Sequence, residues 1–461
     1  MKNSLITVYI TNFNYGKYLE IAVNSVLEQT LQDFELIIID DGSTDNSKEV
    51  LQNFSQNDRI KIIYQQNKGL TISNNIALRL ARGKYIIRLD ADDYFDKNAL
   101  SILSSVMETN ENIGMVFADW YLMDEEGTVT GIERRHDFSR DVHLFDQPAH
   151  GACTMFRTQA LREIGGYDES LSRQDGYELW FRYINQYEVQ NLNIPLFYYR
   201  QHGSSLTKDQ EKLLEVRSKI YKKHGKLPGQ NKKTFSVMPI RGHSIDERDN
   251  PFVKLNGKYL IDYTIEPILD CEKIDKLVIS TPDEKIISYI KETYSASKKI
   301  IIHQRSEEIA KVNIGLEPTL NTIFNDIETL QTYDSFFINS IETPFKKVHL
   351  LESAVHVMNI FKVDTVIGVK QSNNLIFKHD GKGLKTINYK NSILRLERDN
   401  LYEYVSGYTL RKTSDYLKTG NIFGTKIGHI IVDQKSSHHI RSEIDIEIAQ
   451  KVYLESVHDV R

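Results

Sequence analysis

The chain has 461 residues, of which 40% are hydrophobic and 26% are charged, and its formal net charge is -5. This length exceeds that of one ordinary domain core, so we expect two or three domains. The slightly acidic balance gives no sign of a nucleic-acid partner or of a basic membrane arm. The two cysteines, Cys153 and Cys271, are far apart, so no disulfide framework or CxxC metal site is recognisable, which fits a reducing cytosol.

The first residues, MKNSLITVYITNFNYGKY, contain an apolar run that is short. It is not typical of a signal peptide, and it predicts the first strand of a sheet. No apolar run in the sequence is long enough to cross a bilayer. We therefore expect a cytoplasmic protein.

Apolar strands alternate with helical stretches in both halves of the chain. The first half contains LITVYIT, ELIIIDD, IKIIYQQ and KYIIRLD, and the second contains FSVMPI, KLVISTP, KIIIHQR and DSFFINS. This alternation predicts α/β domains built on mainly parallel sheets. Helical spacing over residues 209–226 is followed by the polar segment LPGQNKKT, which contains a proline and a glycine as breakers. We predict Rossmann-like nucleotide-binding domains at 1–225 and 234–461, joined by a linker at 226–233.

Polar residues follow three of the predicted strands in the first half. They are Thr11 after the first strand, Asp40 and Asp41 after the second, and Asp90, Asp92 and Asp93 after YIIRL. Ligands of such sheets collect beyond the carboxyl ends of the strands, so we expect these side chains to share one crevice. For DGSTDNS taken alone, a strand-to-helix turn with Ser43 or Asp45 as the helix cap is the preferred interpretation.

The three carboxylates of DADD repel one another, and burial strengthens that repulsion. A turn needs one acidic residue, so this segment indicates more than a turn. A divalent cation, Mg²⁺ or Mn²⁺, takes hard oxygen ligands and usually shares them with substrate phosphates. The sequence therefore predicts a metal site here, where the ion bridges a diphosphate and neutralises the charge of the leaving group.

Four segments of the first half resemble the family 2 inverting glycosyltransferases of GT-A fold. They are ITNFNYGKYLEIAVNSVLEQTLQDFELIIIDDGSTDNS, NKGLTISNNIALRLARGKYIIRLDADD, GGYDESLSRQDGYELWFRY and FYYRQHGSSLT, and their order and spacing fit over residues 5–207. The resemblance implies a metal-dependent transfer of a sugar from a nucleotide-diphosphate donor, typically a UDP-sugar. It also implies that Asp90 and Asp92 hold the cation and the diphosphate, with Asp92 the more direct ligand and Asp93 in the same turn.

The resemblance implies a set of donor-binding residues and a catalytic base. The donor-binding set is Thr11, Asn14, Asp40, Asp41, Asn67, Gly69, Arg200 and His202, with Asp41 accepting from the nucleobase. An inverting transfer needs one carboxylate that takes the proton of the acceptor hydroxyl. Asp175 in RQDGYELWFR matches the base of the family, and Glu178 is the alternative. A solvated helix position is the other interpretation of Glu178, and Trp180 is expected to anchor this helix in the core.

The second half resembles a different class, the cytidylyltransferases that make CMP-sialic acid and related nonulosonic acids. The similar segments, within residues 234–452, are VMPIRGHSIDERDNPFVKLNGKYLIDYTIEPI, KLVISTPDEKI, HQRSEEIA, INSIETPF and FGTKIGHIIVDQKSSHHIRSEIDIEIA. The resemblance implies a nucleotidyltransferase-like fold whose first loop cradles the phosphates of CTP. The matching residues of that loop and the next are Arg241, Gly242, Ser244, Asn250, Asn256, Gly257 and Lys258.

This half departs from that family where phosphate and metal would bind. The family has lysines where this chain has Ile245 and Asp249, and metal-binding aspartates where it has His439 and Arg441. Arginine offers no lone pair to a cation, and CTP chemistry without the ion loses its main electrostatic contribution. We therefore expect a degenerate domain. The segment HHIR has three open interpretations: an anion site, a metal site at His438 and His439, or a surface turn.

These observations predict a glycosyltransferase of hexosyltransferase type that acts in the synthesis of a bacterial surface polysaccharide, such as capsule or lipopolysaccharide. The expected partners are a nucleotide-sugar donor and a glycan or lipid-linked glycan acceptor, met at the inner face of the cytoplasmic membrane. No nucleic acid is expected, and a homo-oligomer stays open. Two alternatives concern the second half: it also activates a nonulosonic acid with CTP, or it is a non-catalytic binding or oligomerisation module.

Overall fold

The structure is a computed structural model that describes residues 4–134, 150–202, 210–225, 232–246, 250–372, 374, 376–379, 381, 384–386 and 401–458. The chain forms two compact units, 1–216 with 389–398, and 217–388 with 399–461. The predicted domains at 1–225 and 234–461 stay a prediction, and most of the predicted linker lies outside the described residues. No helix in the described part of the chain is long and apolar enough to span a membrane.

The first unit contains nine strands and its own set of helices among the described residues. The strands are β1 (Ile6–Asn12), β2 (Phe34–Asp40), β3 (Ile60–Tyr64), β4 (Tyr85–Asp90), β5 (Tyr94–Phe95), β6 (Ile113–Met123), β7 (Val129–Glu133), β8 (Thr154–Arg157) and β9 (Glu188–Arg200). The helices are α1 (Gly16–Leu27), α2 (Ser47–Gln52), α3 (Leu70–Leu80), α4 (Ala99–Thr109), α5 (Thr158–Glu163) and α6 (Asp175–Tyr183). Helix α7 (Gln210–His224) follows and contains the division between the units.

The sheet of the first unit has the order β3-β2-β1-β4-β8-β6-β9-β5, with β7 paired to β6. Strands β3, β2, β1 and β4 are mutually parallel, and β8 runs antiparallel to both of its neighbours. Strand β6 is parallel to β9. The carboxyl ends of β1, β2 and β4 therefore meet at one edge of the sheet, where the predicted site residues follow them.

Both faces of this sheet are covered by helices, so its central strands are nearly continuous apolar runs. In β4, Tyr85, Ile87 and Leu89 belong to the core formed with α1 and α4. Ile86 belongs to the core on the other face, formed with α3, α5 and α6. The period of two in a strand places Arg88 on the face of Ile86, which is the face that carries α6.

The second unit has a seven-stranded sheet and two small hairpins. The strands are β10 (Thr234–Pro239), β11 (Lys254–Leu255), β12 (Lys258–Tyr259), β13 (Lys276–Thr281), β14 (Ile300–Gln304), β15 (Ser335–Ile338), β16 (Thr365–Ser372), β17 (Phe377–His379), β18 (Leu384–Thr386), β19 (Leu401–Lys412) and β20 (Ile427–Ile431). The helices are α8 (Leu260–Asp270), α9 (Glu284–Thr293), α10 (Glu307–Ala310), α11 (Glu317–Asp326), the 3-10 helix Glu328–Thr332, α12 (Val348–Phe361), α13 (Thr413–Thr419) and α14 (Glu443–His458).

The two units share one strand topology. The second sheet has the order β14-β13-β10-β15-β19-β16-β20. The seven strands of each sheet can be numbered along the chain, leaving out β5 and β7 of the first unit. Both sheets then have the order third, second, first, fourth, sixth, fifth, seventh. In both units the sixth strand is antiparallel to its neighbours, whereas the fifth and seventh are parallel.

The predicted α/β class is confirmed, but both sheets are mixed rather than mainly parallel. The strands that the sequence pattern identified are parallel to one another, in the order β3-β2-β1-β4 in the first sheet and β14-β13-β10-β15 in the second. The antiparallel strand β8 has only four residues. Such a short strand gives a weak periodic signal, and its pairing between β4 and β6 depends on the rest of the sheet.

Candidate functional site

The acidic turn after β4 carries three carboxylates that have different partners. Asp92 Oδ2 lies 2.8 Å from Nε2 of His202. Asp93 Oδ1 accepts a hydrogen bond from the backbone N–H of Arg200 at 2.9 Å, and Nε of Arg200 donates to the carbonyl oxygen of Asp92 at 3.0 Å. The end of β9 thus closes over the turn, and it brings together Arg200 and His202 with two of the predicted metal residues.

Arg88 contacts the third carboxylate of the turn from within the sheet. Its Nε lies 3.0 Å from Oδ1 of Asp90, and its Nη1 donates to Oδ2 of Asp175 at 2.7 Å. The Arg88 side chain is only 6% exposed and that of Asp175 only 9%, so water screens this pair of ion pairs poorly. One buried guanidinium therefore joins the predicted metal pair to the predicted base.

Burial disfavours the ionised forms of two carboxylates in this turn, those of Asp90 and Asp93. Burial raises the pKa of Asp90 to about 6, with Asp92 and Asp175 adding to the rise and Arg88 opposing it. Burial, together with the charges of Asp92 and Asp90, raises the pKa of Asp93 well above its ordinary value. A further positive charge at this turn would favour the ionised forms of both groups.

The turn suits a divalent cation in the chemistry of its donors, which are hard carboxylate oxygens. Oδ2 of Asp93 is buried and has no hydrogen-bond partner among the described residues. Within the same residues, no group of three or more His, Cys, Asp or Glu side chains forms a cation cage. Mg²⁺ is commonly held by one or two carboxylates and completed by substrate phosphates, so the turn fits an ion that is shared with a diphosphate.

Asp175 is the first residue of α6, and its carboxylate is held by two donors. Oδ2 accepts from Nδ2 of Asn74 at 2.9 Å as well as from Arg88. The preceding residue, Gln174, has a left-handed backbone with φ of 61°, which begins the helix abruptly. No described residue donates to Oδ1 of Asp175 through its side chain or backbone, so this oxygen stays available to a substrate.

Glu178 lies one turn further along α6, and it is not the solvated position that the sequence suggested. Its side chain is 0% exposed, and both of its oxygens accept from the guanidinium of Arg182 at 2.6 to 3.0 Å. Arg182 also donates to the carbonyl oxygens of Ile164 and Gly166. The i,i+4 spacing on the buried face of α6 explains the pair, which has a structural role. Trp180 is buried in the core as expected.

The predicted nucleotide residues gather at the ends of β1 and β2. Asp41 accepts from the backbone N–H groups of Lys68 and Gly69, both at 2.8 Å, and from Nε2 of Gln65 at 2.7 Å. Its carboxylate therefore holds the loop that contains Asn67, whose side chain is exposed. This loop leads directly into α3 at Leu70.

A second network orders the neighbouring loop. Oδ1 of Asp40 accepts from Nδ2 of Asn12 at 2.9 Å and from Oγ of Ser43. Asn14 has φ of 61°, and its side chain accepts from the backbone N–H of Thr44 at 2.7 Å. Ser43 thus bonds Asp40 rather than capping a helix, whereas Asp45 accepts from the N–H groups of Gly16 and Ser47 at helix starts. The half-buried Thr11 pairs in register with Asp90.

In the second unit, the predicted phosphate loop follows the carboxyl end of β10. Nε of Arg241 donates to a backbone carbonyl oxygen at 3.1 Å. Gly242 has φ of 87°, and a Cβ there would lie 2.5 Å from Oδ2 of Asp283, so this position requires glycine. Ser244 is exposed, and Oδ1 of Asn250 accepts a backbone N–H two residues later at 3.2 Å.

In the segment HHIR the two histidines are half-buried and hydrogen-bonded, Ile440 is buried and Arg441 is exposed. His439 contacts Oγ of Ser406 through Nε2 and a carbonyl oxygen through Nδ1, both at 3.0 Å. Nε2 of His438 contacts another carbonyl oxygen at 3.0 Å. Nε of Arg441 forms an ion pair with Glu342 at 2.9 Å. The imidazole nitrogens of His439 are thus both engaged, and a cation would lie beside an arginine.

Three residues of the first unit were missed as site residues by the sequence reasoning. Arg88 and Asn74 hold Asp175, and Gly151 makes room for Arg88, because a Cβ at Gly151 would lie 2.2 Å from Nη2 of that arginine. Arg88 did carry a signal: it is the one basic residue of the buried strand β4, and it precedes Asp90 by two positions on the same face. Asn74 and Gly151 are distant in sequence and carried none.

This chain is similar to one protein family and to several individual proteins. The model of glycosyl transferase family 2 matches residues 7–165. A glycosyltransferase of Methanocaldococcus jannaschii is 31% identical over 210 residues, which are 43% of this chain and 72% of the relative. The hyaluronan synthase of Pasteurella multocida is 24% identical over 417 residues, which cover 87% of this chain but 38% of the synthase.

The coverage of the larger relatives is partial. The chondroitin synthase of Escherichia coli is 31% identical over 182 residues, 39% of this chain and 26% of that enzyme, so this chain spans well under half of either synthase. The S. aureus TarS structure in complex with UDP-GlcNAc has 19% identity and a TM-score of 0.42 over 49% of this chain and 68% of that one. The family match and the archaeal relative show that this chain belongs, through its N-terminal unit, to glycosyltransferase family 2.

Proposed function

We propose that the N-terminal unit transfers a sugar, with inversion, from a UDP-sugar to a hydroxyl group of a glycan or lipid-linked glycan. One observation carries this proposal: a buried network runs from the acidic turn at Asp90 through Arg88 to Asp175. In this network one guanidinium, that of Arg88, contacts both Asp90, which is predicted to bind the metal and the diphosphate, and Asp175, which is predicted to be the base. The relatives that are hyaluronan and chondroitin synthases support a polysaccharide as the product.

The residues of the chain would act in sequence on a bound donor and acceptor. Oδ1 of Asp175 takes the proton of the acceptor hydroxyl while that oxygen forms a bond to the anomeric carbon. The bond from that carbon to the diphosphate oxygen breaks, and its electron pair leaves with the nucleoside diphosphate. Arg200 and His202 close over the turn beside the diphosphate, and the loop held by Asp41 receives the nucleoside.

A divalent cation, Mn²⁺ or Mg²⁺, would be held by Asp92 with Asp90, and it would supply positive charge to the departing diphosphate. His202 already positions the carboxylate of Asp92, which supports Asp92 as the more direct ligand. The setting that we propose is the synthesis of a bacterial surface polysaccharide, such as capsule or lipopolysaccharide, at the inner face of the membrane.

A second candidate function concerns the C-terminal unit, for which we propose a domain at 234–461 that a linker at 226–233 joins to the domain at 1–225. We propose that it is a degenerate nucleotidyltransferase-like domain that binds a nucleotide or an anionic sugar through Arg241, Ser244 and Asn250. The shared strand order and the glycine-dependent approach of the β10 loop to Asp283 favour a retained binding loop. The ion pair of Arg441 with Glu342 disfavours cytidylyl transfer.

A donor screen tests the main proposal. Purified protein with Mn²⁺ is given UDP-, GDP- and CDP-sugars, and nucleotide release is measured with and without EDTA. We expect release from a UDP-sugar, loss of release in EDTA, and loss of both release and tight UDP binding in Asp92→Asn. Glu111→Gln, at an exposed carboxylate, is the matched control and should behave as the wild type. Full activity in EDTA or in Asp92→Asn would contradict the metal assignment.

A further inference from the structure

We infer that Arg88 is the positioning residue of the transfer reaction, and that it acts through Asp175 by fixing which carboxylate oxygen takes the proton. The inference rests on the proposed function of Asp175 as the base. It assigns a role to a residue that belongs to neither the donor-binding set nor the acidic turn.

The geometry of the Asp175 carboxylate carries the first step. Two donors, Nη1 of Arg88 and Nδ2 of Asn74, converge on the same oxygen, Oδ2, at 2.7 and 2.9 Å. Two hydrogen bonds on one oxygen stop the carboxylate from rotating about its bond to Cβ. The other oxygen, Oδ1, is left as the acceptor, in a fixed direction. A base that is held in this way keeps the near-attack geometry on which its efficiency depends.

The position of Arg88 is itself fixed on all sides. Nε of the same guanidinium lies at ion-pair distance, 3.0 Å, from Oδ1 of Asp90, so the guanidinium is placed between two carboxylates. Gly151 packs against the third corner, where any Cβ would lie 2.2 Å from Nη2. The Arg88 residue is 5% exposed. A buried guanidinium that lies between Asp90 and Asp175 links the position of the acidic turn to that of the base.

The charge of Arg88 supports this role. The guanidinium of an arginine is a permanent cation that cannot exchange protons with the base. It stabilises the negative charge of Asp175 without competing for the proton of the acceptor.

A double-mutant cycle separates positioning from a merely structural role. The variants are Arg88→Gln, Asp175→Asn and the double variant, assayed for kcat and KM on the donor found in the screen. We expect Arg88→Gln to lower kcat about 100-fold, the cost of a misplaced reacting group. The double variant should fall within about 3-fold of Asp175→Asn alone, because a residue that acts through Asp175 has nothing left to position. Multiplicative losses in the double variant would overturn the inference.

Controls keep the outcomes distinct. Arg162→Gln removes a guanidinium that donates to the carbonyl oxygens of Leu78 and Ala81, and it should keep kcat. If Arg88→Gln does not fold, Arg88→Lys enters the same cycle, since one ammonium cannot hold two carboxylates in a planar fork. Added guanidinium ion should restore part of the turnover of Arg88→Ala. A wild type without transfer, or an Asp175→Asn variant that keeps most of the wild-type turnover, would refute the proposed function, whereas a fully active Arg88→Gln would refute only this inference.

Discussion

At the scale of single residues, Lys346 is a buried lysine in the C-terminal unit. Its Nζ donates to the carbonyl oxygen and to Oγ1 of Thr343 at 3.0 and 2.9 Å, and lies 4.9 Å from the centre of the Tyr408 ring. A Cβ at Gly407 would lie 2.5 Å from this nitrogen, so the enclosure is tight. Burial lowers the pKa of Lys346 to about 7.

This lowered pKa predicts a pH-dependent stability. An unfolded lysine has a pKa of about 10.4, so between about pH 7 and pH 10 the unfolded chain binds one more proton. The free energy of unfolding of the C-terminal unit should therefore rise with pH in this window, by at most about 1.4 kcal/mol per pH unit, and fall as the pH decreases towards 7. Lys346→Met should remove this contribution, measured by pulse proteolysis in urea at pH 7 and 9. The exposed Lys412→Met is the control, and an unchanged slope in Lys346→Met would contradict the prediction.

At the scale of elements, α6 combines a site residue at its start with a structural pair in its middle. Asp175 begins the helix, and Glu178 and Arg182 tie its buried face to two carbonyl oxygens of the loop after α5. The ion pair therefore fixes the helix that presents Asp175. Asp175 and Glu178, which the sequence left as alternatives for the base, therefore have different partners in the structure.

The prediction for α6 is that Glu178→Gln affects stability and not chemistry. This substitution removes the negative charge of the fully buried Glu178, so the charge of Arg182 is left poorly compensated. The free energy of unfolding of the N-terminal unit should therefore fall by about 3 kcal/mol. The only tryptophans, Trp120 and Trp180, lie in this unit, so their fluorescence in a urea titration reports its unfolding. Glu163→Gln, at an exposed position of α5, is the control. A stable Glu178→Gln that loses turnover would instead identify Glu178 as the base.

At the scale of the whole molecule, two units of one strand topology differ in the charges at the carboxyl edge. The first unit places the carboxylates of Asp90, Asp92 and Asp93 after its fourth strand in the sheet order. The corresponding strand of the second unit, β15, is followed by Asn339, and its loop contains Glu342, which is paired with Arg441. The same strand topology therefore carries three carboxylates at this edge in one unit and an ion pair in the other.

This difference predicts that the chain forms no CMP-sugar from CTP and a nonulosonic acid, even with excess magnesium. Arg441 would repel the ion, and a polyanionic triphosphate without its cation lacks the main electrostatic stabilisation of transfer. Mass spectrometry of the reaction mixture is the measurement, with nucleotide release from the UDP-sugar as the control for folded protein. A CMP-sugar produced at steady turnover would show that other residues hold a metal in this unit.

The sequence by itself determined the α/β class, most of the parallel strands and the acidic turn. These features are local: a buried strand is a continuous apolar run, and a ligand edge is a polar residue directly after it. The helical spacing before the second half likewise predicted α7, whose Leu214, Val216 and Ile220 are buried. The length of apolar runs and the polar breakers are sufficient for such predictions.

Only the tertiary structure decided which charges meet. Asp90 and Asp175 are far apart in the chain, yet both contact the guanidinium of Arg88. This contact depends on the position of β8 between β4 and β6, and on the packing of α6 against the sheet face that carries Ile86. The sequence raised the question of what positive charge accompanies DADD, and part of the answer is Arg88, two residues earlier in the same strand. Likewise, Glu178 looked solvated until the packing of α6 buried it, because burial depends on which face of a helix meets the sheet, which spacing alone leaves open.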